Sequence, residues 1–195
     1  MVEGESLTEP GDVFLESERI VLRTLSIDDV SSWYAWFNSG KVTENINKGI
    51  FPNTREKQAD YLRALLKSQT DLQLAISLKE DGDLIGVIGI HKVDWLHRRG
   101  DISIVIGNEK AWGKGLATEA IGLMVRHGFE KLNLHKITAG MWATNEGSRR
   151  SFEKNGFVLE GTLKENYFLR SGYVDEYRLG ILQKDWESGI NRISE

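Results

Sequence analysis

The sequence contains no cysteine, which excludes disulfides, a thiol nucleophile and thiolate ligands for a metal. No apolar run approaches the roughly 18 residues that a membrane-spanning helix needs, and the acidic N-terminal stretch lacks the apolar core of a secretory signal. Basic residues are not in excess, because the net charge is −4, so no overall field attracts nucleic acid or anionic membrane. The four histidines show no metal-ligand spacing, so no metal is expected. These absences predict a soluble, cytoplasmic protein without nucleic-acid or membrane partners.

The composition that remains is that of an ordinary globular protein, with 40% hydrophobic and 28% charged residues. At 195 residues the chain is long enough to bury a sizeable core. Residues 1–17 are acidic and include the Pro10-Gly11 break, so we expect a flexible lead-in there. Residues 18–195 are then expected to form a single domain.

Hydrophobic periodicity predicts strands and helices in a mixed order along this domain. The predicted strands cover residues 19–25, 72–78, 84–93, 101–106, 136–142, 157–169 and 173–182. Helices are predicted after Ser26, Thr54 and Asn145, since each of these side chains can cap a helix. A further helix is predicted after residue 115. The order β-α-α-β-β-β-α-β-α-β-β indicates an α+β fold with a mixed sheet covered by helices, rather than a doubly wound one.

A glycine-rich turn before Leu116 is the first candidate site. It follows the alternating strand 101–106 and reads K-A-W-G-K-G before Leu116 opens a helix. Glycines let a backbone approach a phosphate closely, and the unpaired amides and dipole at a helix start attract an anion. The turn fits neither the Walker nor the Rossmann spacing. It therefore indicates either a phosphate site or a plain helix-entry turn.

A second constellation, at residues 145–157, places polar groups at the start and end of a short helix. Asn145 lies where a strand ends and a helix begins, so its plain role is an N-cap. Ser148 follows in the first helical turn, where serine has little structural purpose beyond capping. The segment ends in K-N-G-F at residues 154–157.

Together these motifs resemble the GNAT N-acetyltransferases that use acetyl-CoA, and within them the RimJ/RimL-like branch. In that superfamily an R/Q-x-x-G-x-G/A turn holds the pyrophosphate, and residues 110–115 fit it with lysine in the first position. The branch also shows a leucine-rich helix end before a basic strand start, then N-x-x-S and K-x-G-F. Residues 132–136, 145–148 and 154–157 match these patterns in order. The likeness covers residues 18–186.

The resemblance implies a mostly antiparallel mixed sheet, splayed between the fourth and fifth predicted strands, with helices on both faces. It implies acetyl-CoA as the donor, with its pantetheine arm between the splayed strands and its pyrophosphate at the glycine turn. Asn145 would bond the pantetheine arm, and Lys154 or Arg150 would meet the adenosine phosphate. The implied donor-site residues are Ile104, Val105, Ile106, Lys110, Ala111, Trp112, Gly113, Lys114, Gly115, Leu116, Ala117, Thr118, Asn145, Arg150 and Lys154.

The resemblance also implies direct transfer of the acetyl group to a primary amine. An amine that attacks a thioester develops an oxyanion, which backbone amides near residues 104–106 would stabilise without an acyl-enzyme. The amine arrives as an ammonium and must first lose a proton, for which Glu119 is a candidate base.

The proton donor for the departing thiolate is less clear, because this chain departs from the family here. Ser148 would donate a proton or a hydrogen bond to the sulfur, with Asn145 beside it. Many members place a tyrosine seven residues after the asparagine, but Phe152 stands there and cannot donate. Ser148, a water or another tyrosine must serve, and Tyr167 and Tyr173 are candidates without further support.

The acceptor amine is the least determined part of the site. In this family the segment between the first strand and the second helix shapes the acceptor site, which here covers residues 33–54. Its aromatic rings and asparagines suit a polar, ring-bearing ligand as well as a peptide, and the segment loosely resembles acetyltransferases of nucleotide-linked amino sugars. We therefore expect a small-molecule amine of that kind. The candidate acceptor residues are Trp36, Asn38, Phe51, Asn53 and Asp94.

Other functions stay open. A protein N-terminus of ribosomal type, a polyamine or an antibiotic could be the acceptor, although a polyamine enzyme should have a more acidic loop than residues 41–54, with one glutamate and two lysines. A non-catalytic acyl-CoA-binding module is a further alternative, because Phe152 removes the usual acid. A homodimer is also open, since the predicted C-terminal hairpin offers edge strands.

Overall fold

The computed structural model describes residues 11–44, 46, 51–169 and 172–193. The strands are β1 (Val13–Glu16), β2 (Ile20–Arg23), β3 (Leu72–Leu78), β4 (Leu84–Asp94), β5 (Arg99–Ile106), β6 (Lys136–Trp142), β7 (Val158–Leu169) and β8 (Gly172–Leu182). The helices are α1 (Val30–Phe37), α2 (Gly40–Thr43), α3 (Arg55–Lys67), α4 (Leu116–Glu130), α5 (Glu146–Glu153) and α6 (Gln183–Ile193). Within these ranges, no helix is long and apolar enough to cross a membrane.

All eight strands belong to one sheet, in the order β1-β2-β3-β4-β5-β6-β8-β7. Every neighbouring pair is antiparallel except β5 and β6, which run parallel because a crossover through α4 connects them. Their pairing covers three residues on each strand and ends where Asp101 lies opposite Thr138. Beyond that point the two strands diverge. The predicted α+β fold, with a mostly antiparallel sheet splayed between the fourth and fifth predicted strands, is confirmed, and those strands are β5 and β6.

Helices cover both faces of the sheet because successive strand residues point to opposite sides. On β4, Ile88 and Ile90 belong to the larger hydrophobic core, together with Met124 of α4. Val87 points to the other face and packs in a second core with Trp33 of α1. The centre of the sheet, where the splay opens, is therefore held between α4 on one side and the α1–α3 pair on the other.

Three elements differ from the prediction. β1 pairs antiparallel with β2, so the sheet begins inside the predicted lead-in of residues 1–17. A four-residue edge strand such as β1 is too short to show an alternating pattern. The second difference is α2, a single helical turn at the start of the segment predicted to be a loop. α6 continues the chain directly after β8. Residues 1–10 of the lead-in lie outside the described residues, and the single domain over residues 18–195 stays a prediction.

A buried ion pair fixes the start of α1, whose last residue borders the site. Arg23 of β2 donates two hydrogen bonds to the Asp29 carboxylate, at 2.7 and 2.9 Å, and both side chains are buried. Asp29 also accepts from the Ser26 amide at 2.8 Å and so closes the turn before the helix. The turn and β2 together set the direction of α1.

Candidate functional site

The diverging halves of β5 and β6 leave a cleft of about 530 Å³ at the centre of the sheet. Beyond Asp101, the edge of β5 that faces β6 has no strand partner, so its backbone N–H and C=O groups are available to a ligand. Ile104 and Val105, two of the predicted donor-site residues, line this cleft.

The junction of β6 and α5 brings Asn145 and Ser148 to the wall of the cleft. Asn145 is the N-cap of α5, because its Oδ1 accepts from the Ser148 amide at 3.1 Å. That bond leaves the Asn145 Nδ2 group to donate into the cleft. No described residue forms a hydrogen bond with the Ser148 hydroxyl, which is therefore free to donate to a ligand.

The glycine turn presents unpaired backbone amides at the start of α4. Gly113 and Gly115 adopt left-handed backbone angles, with φ of +72° and +78°, and Gly115 is the N-cap. The first helical hydrogen bond runs from Glu119 N to Gly115 O, so the amides of residues 116–118 have no partner within the helix. We call residues 116–118 the amide row. With the positive end of the helix dipole, it fits an anion such as a diphosphate.

Two long-range contacts hold this turn in place. Arg19 donates to the Lys114 carbonyl at 2.9 Å, which anchors the turn to the start of β2. Asn155 donates to the Thr118 carbonyl at 3.0 Å, which joins the end of α5 to the first turn of α4. Neither role is predictable from local sequence patterns, because the partners are 95 and 37 positions apart.

Other predicted donor-site residues act through their backbone or fix the turn. Ala111 and Leu116 are buried in the core, so only their backbone can contact a ligand. Trp112 donates from Nε1 to the Ile106 carbonyl at 2.8 Å and so ties the turn to the end of β5.

Four cationic side chains belong to the glycine turn and to α5 and its end, the two segments next to the amide row. Lys110, Lys114, Arg150 and Lys154 are all exposed. No described carboxylate pairs with the three lysines, and Arg150 lies 3.9 Å from its nearest carboxylate oxygen, on Glu146. Because the end of α5 is held against α4, Lys154 lies near the row. Unpaired cations beside unpaired amides suit a polyanionic ligand.

Glu119, the predicted base, is engaged in a structural network and is not among the described residues that line the cleft. Its carboxylate accepts from Arg19 N at 3.0 Å, from Arg19 Nε at 2.8 Å and from the Ser17 hydroxyl. Burial alone raises the pKa of Glu119, but the hydrogen bonds from Ser17 and Arg19 outweigh it, and the pKa is lowered. Since a carboxylate with a lowered pKa is a weaker base, we assign Glu119 a structural role and no catalytic step.

We expect Glu119→Gln to lower stability but to spare catalysis. The variant loses the charged contact with Arg19, which costs about 1 kcal/mol at neutral pH because Arg19 is half exposed. The folded-state pKa of Glu119 is lowered, so this contribution is present above the unfolded pKa and is lost as pH falls through the folded value. Thermal unfolding of both proteins from about pH 7 to about pH 3 should show the difference vanish in acid. A fall in kcat of more than about tenfold would restore a catalytic role.

Four of the predicted acceptor residues lie in α1 or between α1 and α3. Trp36 packs on Gly107, where an added Cβ would meet the indole at 1.9 Å, and it borders a separate cavity of about 410 Å³. Asn53 N donates to Asn38 Oδ1 at 3.2 Å, so these two asparagines bind each other. Phe51 is 81% exposed. None of the four belongs to the described residues that line the cleft, and their place at the acceptor stays a prediction.

The fifth, Asp94, closes a turn between β4 and β5. It accepts from the His97 amide at 2.9 Å and contacts the His97 ring nitrogen at 2.8 Å. These two hydrogen bonds lower the pKa of Asp94. Its carboxylate is therefore committed to the turn, and its place at the acceptor also stays a prediction.

The rest of the described wall of the cleft includes apolar and aromatic side chains from distant parts of the chain. Phe37 ends α1, Ile46 follows α2, Trp142 ends β6 and Tyr167 lies on β7. The Trp142 and Tyr167 rings are 5.7 Å apart. Phe37 and Ile46 lie within the predicted acceptor segment 33–54, and the sequence offers Tyr167 only as an alternative proton donor. Sequence reasoning missed Trp142, because no local motif connects it with the others. Phe152 also borders the cleft and is buried.

Charged side chains adjoin this aromatic wall. Asp101 accepts from Thr138 Oγ1 at 3.0 Å and lies 3.7 Å from Arg178, which binds the buried Glu176 at 2.7 Å. Burial raises the pKa of Asp101, although Thr138 and Arg178 oppose this effect. Lys92 lines the cleft and is exposed. In the described part of the chain, no group of three histidine or carboxylate side chains is arranged to hold a metal ion.

Comparison with known proteins agrees with this arrangement. A family profile described as "Acetyltransferase (GNAT) domain" matches residues 19–158. The uncharacterised N-acetyltransferase YoaA of Bacillus subtilis is 31% identical over 81% of this chain and 89% of its own, and the putative ribosomal N-acetyltransferase YdaF of the same organism is 25% identical over 93% and 91%. Spermidine N(1)-acetyltransferase of Escherichia coli is 34% identical over a shorter stretch, 54% of this chain and 56% of that protein.

The fold is also found in solved structures. Spermidine N-acetyltransferase of Vibrio cholerae, in complex with CoA and spermine, superposes with a TM-score of 0.79 at 24% identity, over 86% of this chain and 98% of that one. The family match covers well over half of the chain and includes β5, the glycine turn and α5. The chain therefore belongs to the GNAT acetyltransferase family and is an N-acetyltransferase whose donor is acetyl-CoA.

Proposed function

We propose that the chain transfers the acetyl group directly to a primary amine in the cleft between β5 and β6. The observation that supports this most is that the open edge of β5 leads straight into the turn with the amide row. A ligand with phosphates on that row can extend along β5 into the cleft. Because the chain has no cysteine, it offers no thiol for an acyl-enzyme, which favours direct transfer.

On the donor side, the amide row with Lys110, Lys114 and Lys154 would neutralise the diphosphate of acetyl-CoA. Backbone N–H groups of residues 104–106 that face the cleft would stabilise the oxyanion formed when the amine nitrogen attacks the thioester carbon. As the C–N bond forms and the C–S bond breaks, the Ser148 hydroxyl donates its proton to the departing sulfur. The serine oxygen recovers a proton from the amine nitrogen, which loses an N–H proton as the amide forms, so the products are the acetylated amine and the CoA thiol.

We further propose a polyamine as the acceptor. The resemblance to spermidine acetyltransferases supports this class, whereas the predicted amino-sugar acceptor finds no support in the comparisons. Aromatic faces such as those of Trp142 and Tyr167 attract ammonium groups, and Asp101 and Glu176 add carboxylates beside them. From the sequence alone, a polyamine acceptor would require acidic residues in the loop 41–54. The carboxylates proposed for it, Asp101 and Glu176, lie instead on the strands β5 and β8.

A panel of amines tests the acceptor. With acetyl-CoA present, thiol release would be measured with spermidine, spermine, a peptide with a free N-terminus and an aminoglycoside. We expect kcat/KM for spermidine to exceed that for the peptide by about tenfold or more. A preference for the peptide would replace the polyamine by a protein N-terminus. Binding of acetyl-CoA without transfer to any amine would contradict the transferase proposal.

The three motifs in register support placement in the RimJ/RimL-like branch, which we propose as the narrower relationship. The predicted cytoplasmic location and the homodimer stay predictions.

A further inference from the structure

The β7 wall of the cleft contains a tyrosine next to a buried carboxylate, and the transfer step described above uses neither. Tyr167 lines the cleft. Glu176, on the neighbouring strand β8, is only 2% exposed. Glu176 lies opposite Trp142 in the pairing of β6 with β8, and the Trp142 and Tyr167 rings are 5.7 Å apart, which places the Tyr167 phenol beside the Glu176 carboxylate. Glu176 is not among the described residues that line the cleft, so it can act on a ligand there only through a lining residue such as Tyr167.

The strands are shaped to bring these two groups together. Tyr167 lies opposite Val174, after a register shift in β7 that follows Leu163. Beneath Glu176, Gly140 of β6 has no side chain, and an added Cβ would lie 2.7 Å from Glu176 Oε1. A larger residue at position 140 would displace the carboxylate, so this glycine makes room for it.

We propose that Tyr167 is a catalytic residue that accepts a proton from the acceptor ammonium while passing its own phenolic proton to Glu176. This inference rests on the proposed transferase function. An N–H bond of the ammonium breaks, Tyr167 Oη gains that proton, and the phenolic proton moves to the Glu176 carboxylate. The amine keeps the electron pair with which it attacks the thioester. Glu176 is a positioning residue in this step, because it acts through Tyr167.

Neighbouring groups hold the Glu176 carboxylate in a fixed orientation. Arg178 Nε donates to Oε1 at 2.7 Å, and Asn166 Nδ2 donates to Oε2 at 2.5 Å. β6 contributes no charge here, since Trp142 lies opposite Glu176 and Gly140 lies opposite Arg178.

Charges from the other strands complete the surroundings of the pair. Asp101 of β5 interacts with Arg178 at 3.7 Å, and His91 and Lys92 of β4 lie close enough to Asp101 to influence its pKa. Burial first, then the charge and hydrogen bond of Glu176, raise the pKa of Tyr167. The phenol therefore stays neutral at neutral pH, as a relay that both accepts and donates a proton requires.

The Tyr167→Phe variant keeps the ring and removes the relay. With spermidine, or whichever amine the panel identifies, we expect kcat/KM to fall about 30-fold at about pH 7 while acetyl-CoA affinity stays unchanged. The deficit should shrink to about threefold near pH 10, because more of the amine is then neutral and needs no relay. Glu176→Gln should show the same pH-dependent deficit.

Tyr173→Phe is the matched control, since Tyr173 is 65% exposed on the same hairpin and the variant keeps its ring contact with Phe168. It should have the wild-type rate, and thermal unfolding checks that each variant is folded. A deficit that is equal at every pH would assign Tyr167 a structural role and overturn the proposal, as would the absence of a deficit. If the wild type acetylates no amine, the proposed function fails and the relay fails with it, a result that is visible before any variant is compared.

Discussion

The Gly115→Asp variant is expected to bind acetyl-CoA about a thousandfold more weakly than the wild type while keeping its fold. The new carboxylate would lie at the N-cap of α4, beside the amide row, where it competes with the diphosphate for the same amides. A like charge about 4 Å away costs about 4 kcal/mol at the effective dielectric constant of a protein surface, or about a thousandfold in affinity.

The fold should tolerate this change for two reasons. Aspartate is a favoured N-cap residue and tolerates a left-handed backbone better than most residues. An added Cβ at Gly115 meets nothing closer than Arg19, at 3.7 Å.

Gly115→Asn is the control for this variant, because it has the same shape without the charge. Calorimetric titration with acetyl-CoA should give an affinity reduced by about tenfold or less for asparagine and by about a thousandfold for aspartate. Equal affinities for the two variants would show that charge at this position does not matter, which would remove the diphosphate from the amide row.

Replacing Ser148 by alanine is expected to lower kcat about 100-fold while leaving acetyl-CoA affinity within about twofold of the wild type. Ser148 lines the cleft and its hydroxyl has no described partner, so the substitution removes no structural hydrogen bond. Because Phe152 cannot donate a proton, no neighbouring residue of the helix takes over. The loss should therefore appear in the step that breaks the C–S bond.

Ser151→Ala provides the comparison on the same helix, since the Ser151 hydroxyl donates to the Gly147 carbonyl at 2.9 Å and does not line the cleft. Single-turnover rates and equilibrium binding of acetyl-CoA would be measured for both variants. A Ser148→Ala protein that turns over at the wild-type rate would remove the serine from the mechanism.

The segment 33–54, which the family resemblance assigns to the acceptor, contributes Phe37 and Ile46 to the lining of the cleft. The five acceptor candidates named from the sequence are not among the described lining residues. Asn38 and Asn53 bind each other instead, and Asp94 binds His97. Their hydrogen bonds are satisfied locally, within the loops around the cleft.

The sequence by itself determined the donor half of the site. Strand alternation, the glycine turn and the cap at Asn145 are short-range features, because a helix start or a left-handed glycine depends on residues within a few positions. The order of β5, the turn and α4 therefore follows from residues 101–130 alone.

Only the tertiary structure decided the acceptor half. Phe37, Trp142 and Tyr167 meet because β8 inserts between β6 and β7 and because α1 docks on the face of the sheet beside the splay. The pairing of Glu119 with Arg19 spans 100 positions and depends on β1 and β2 lying beside the start of α4. Such contacts depend on strand order and burial across the whole chain, which local periodicity does not encode.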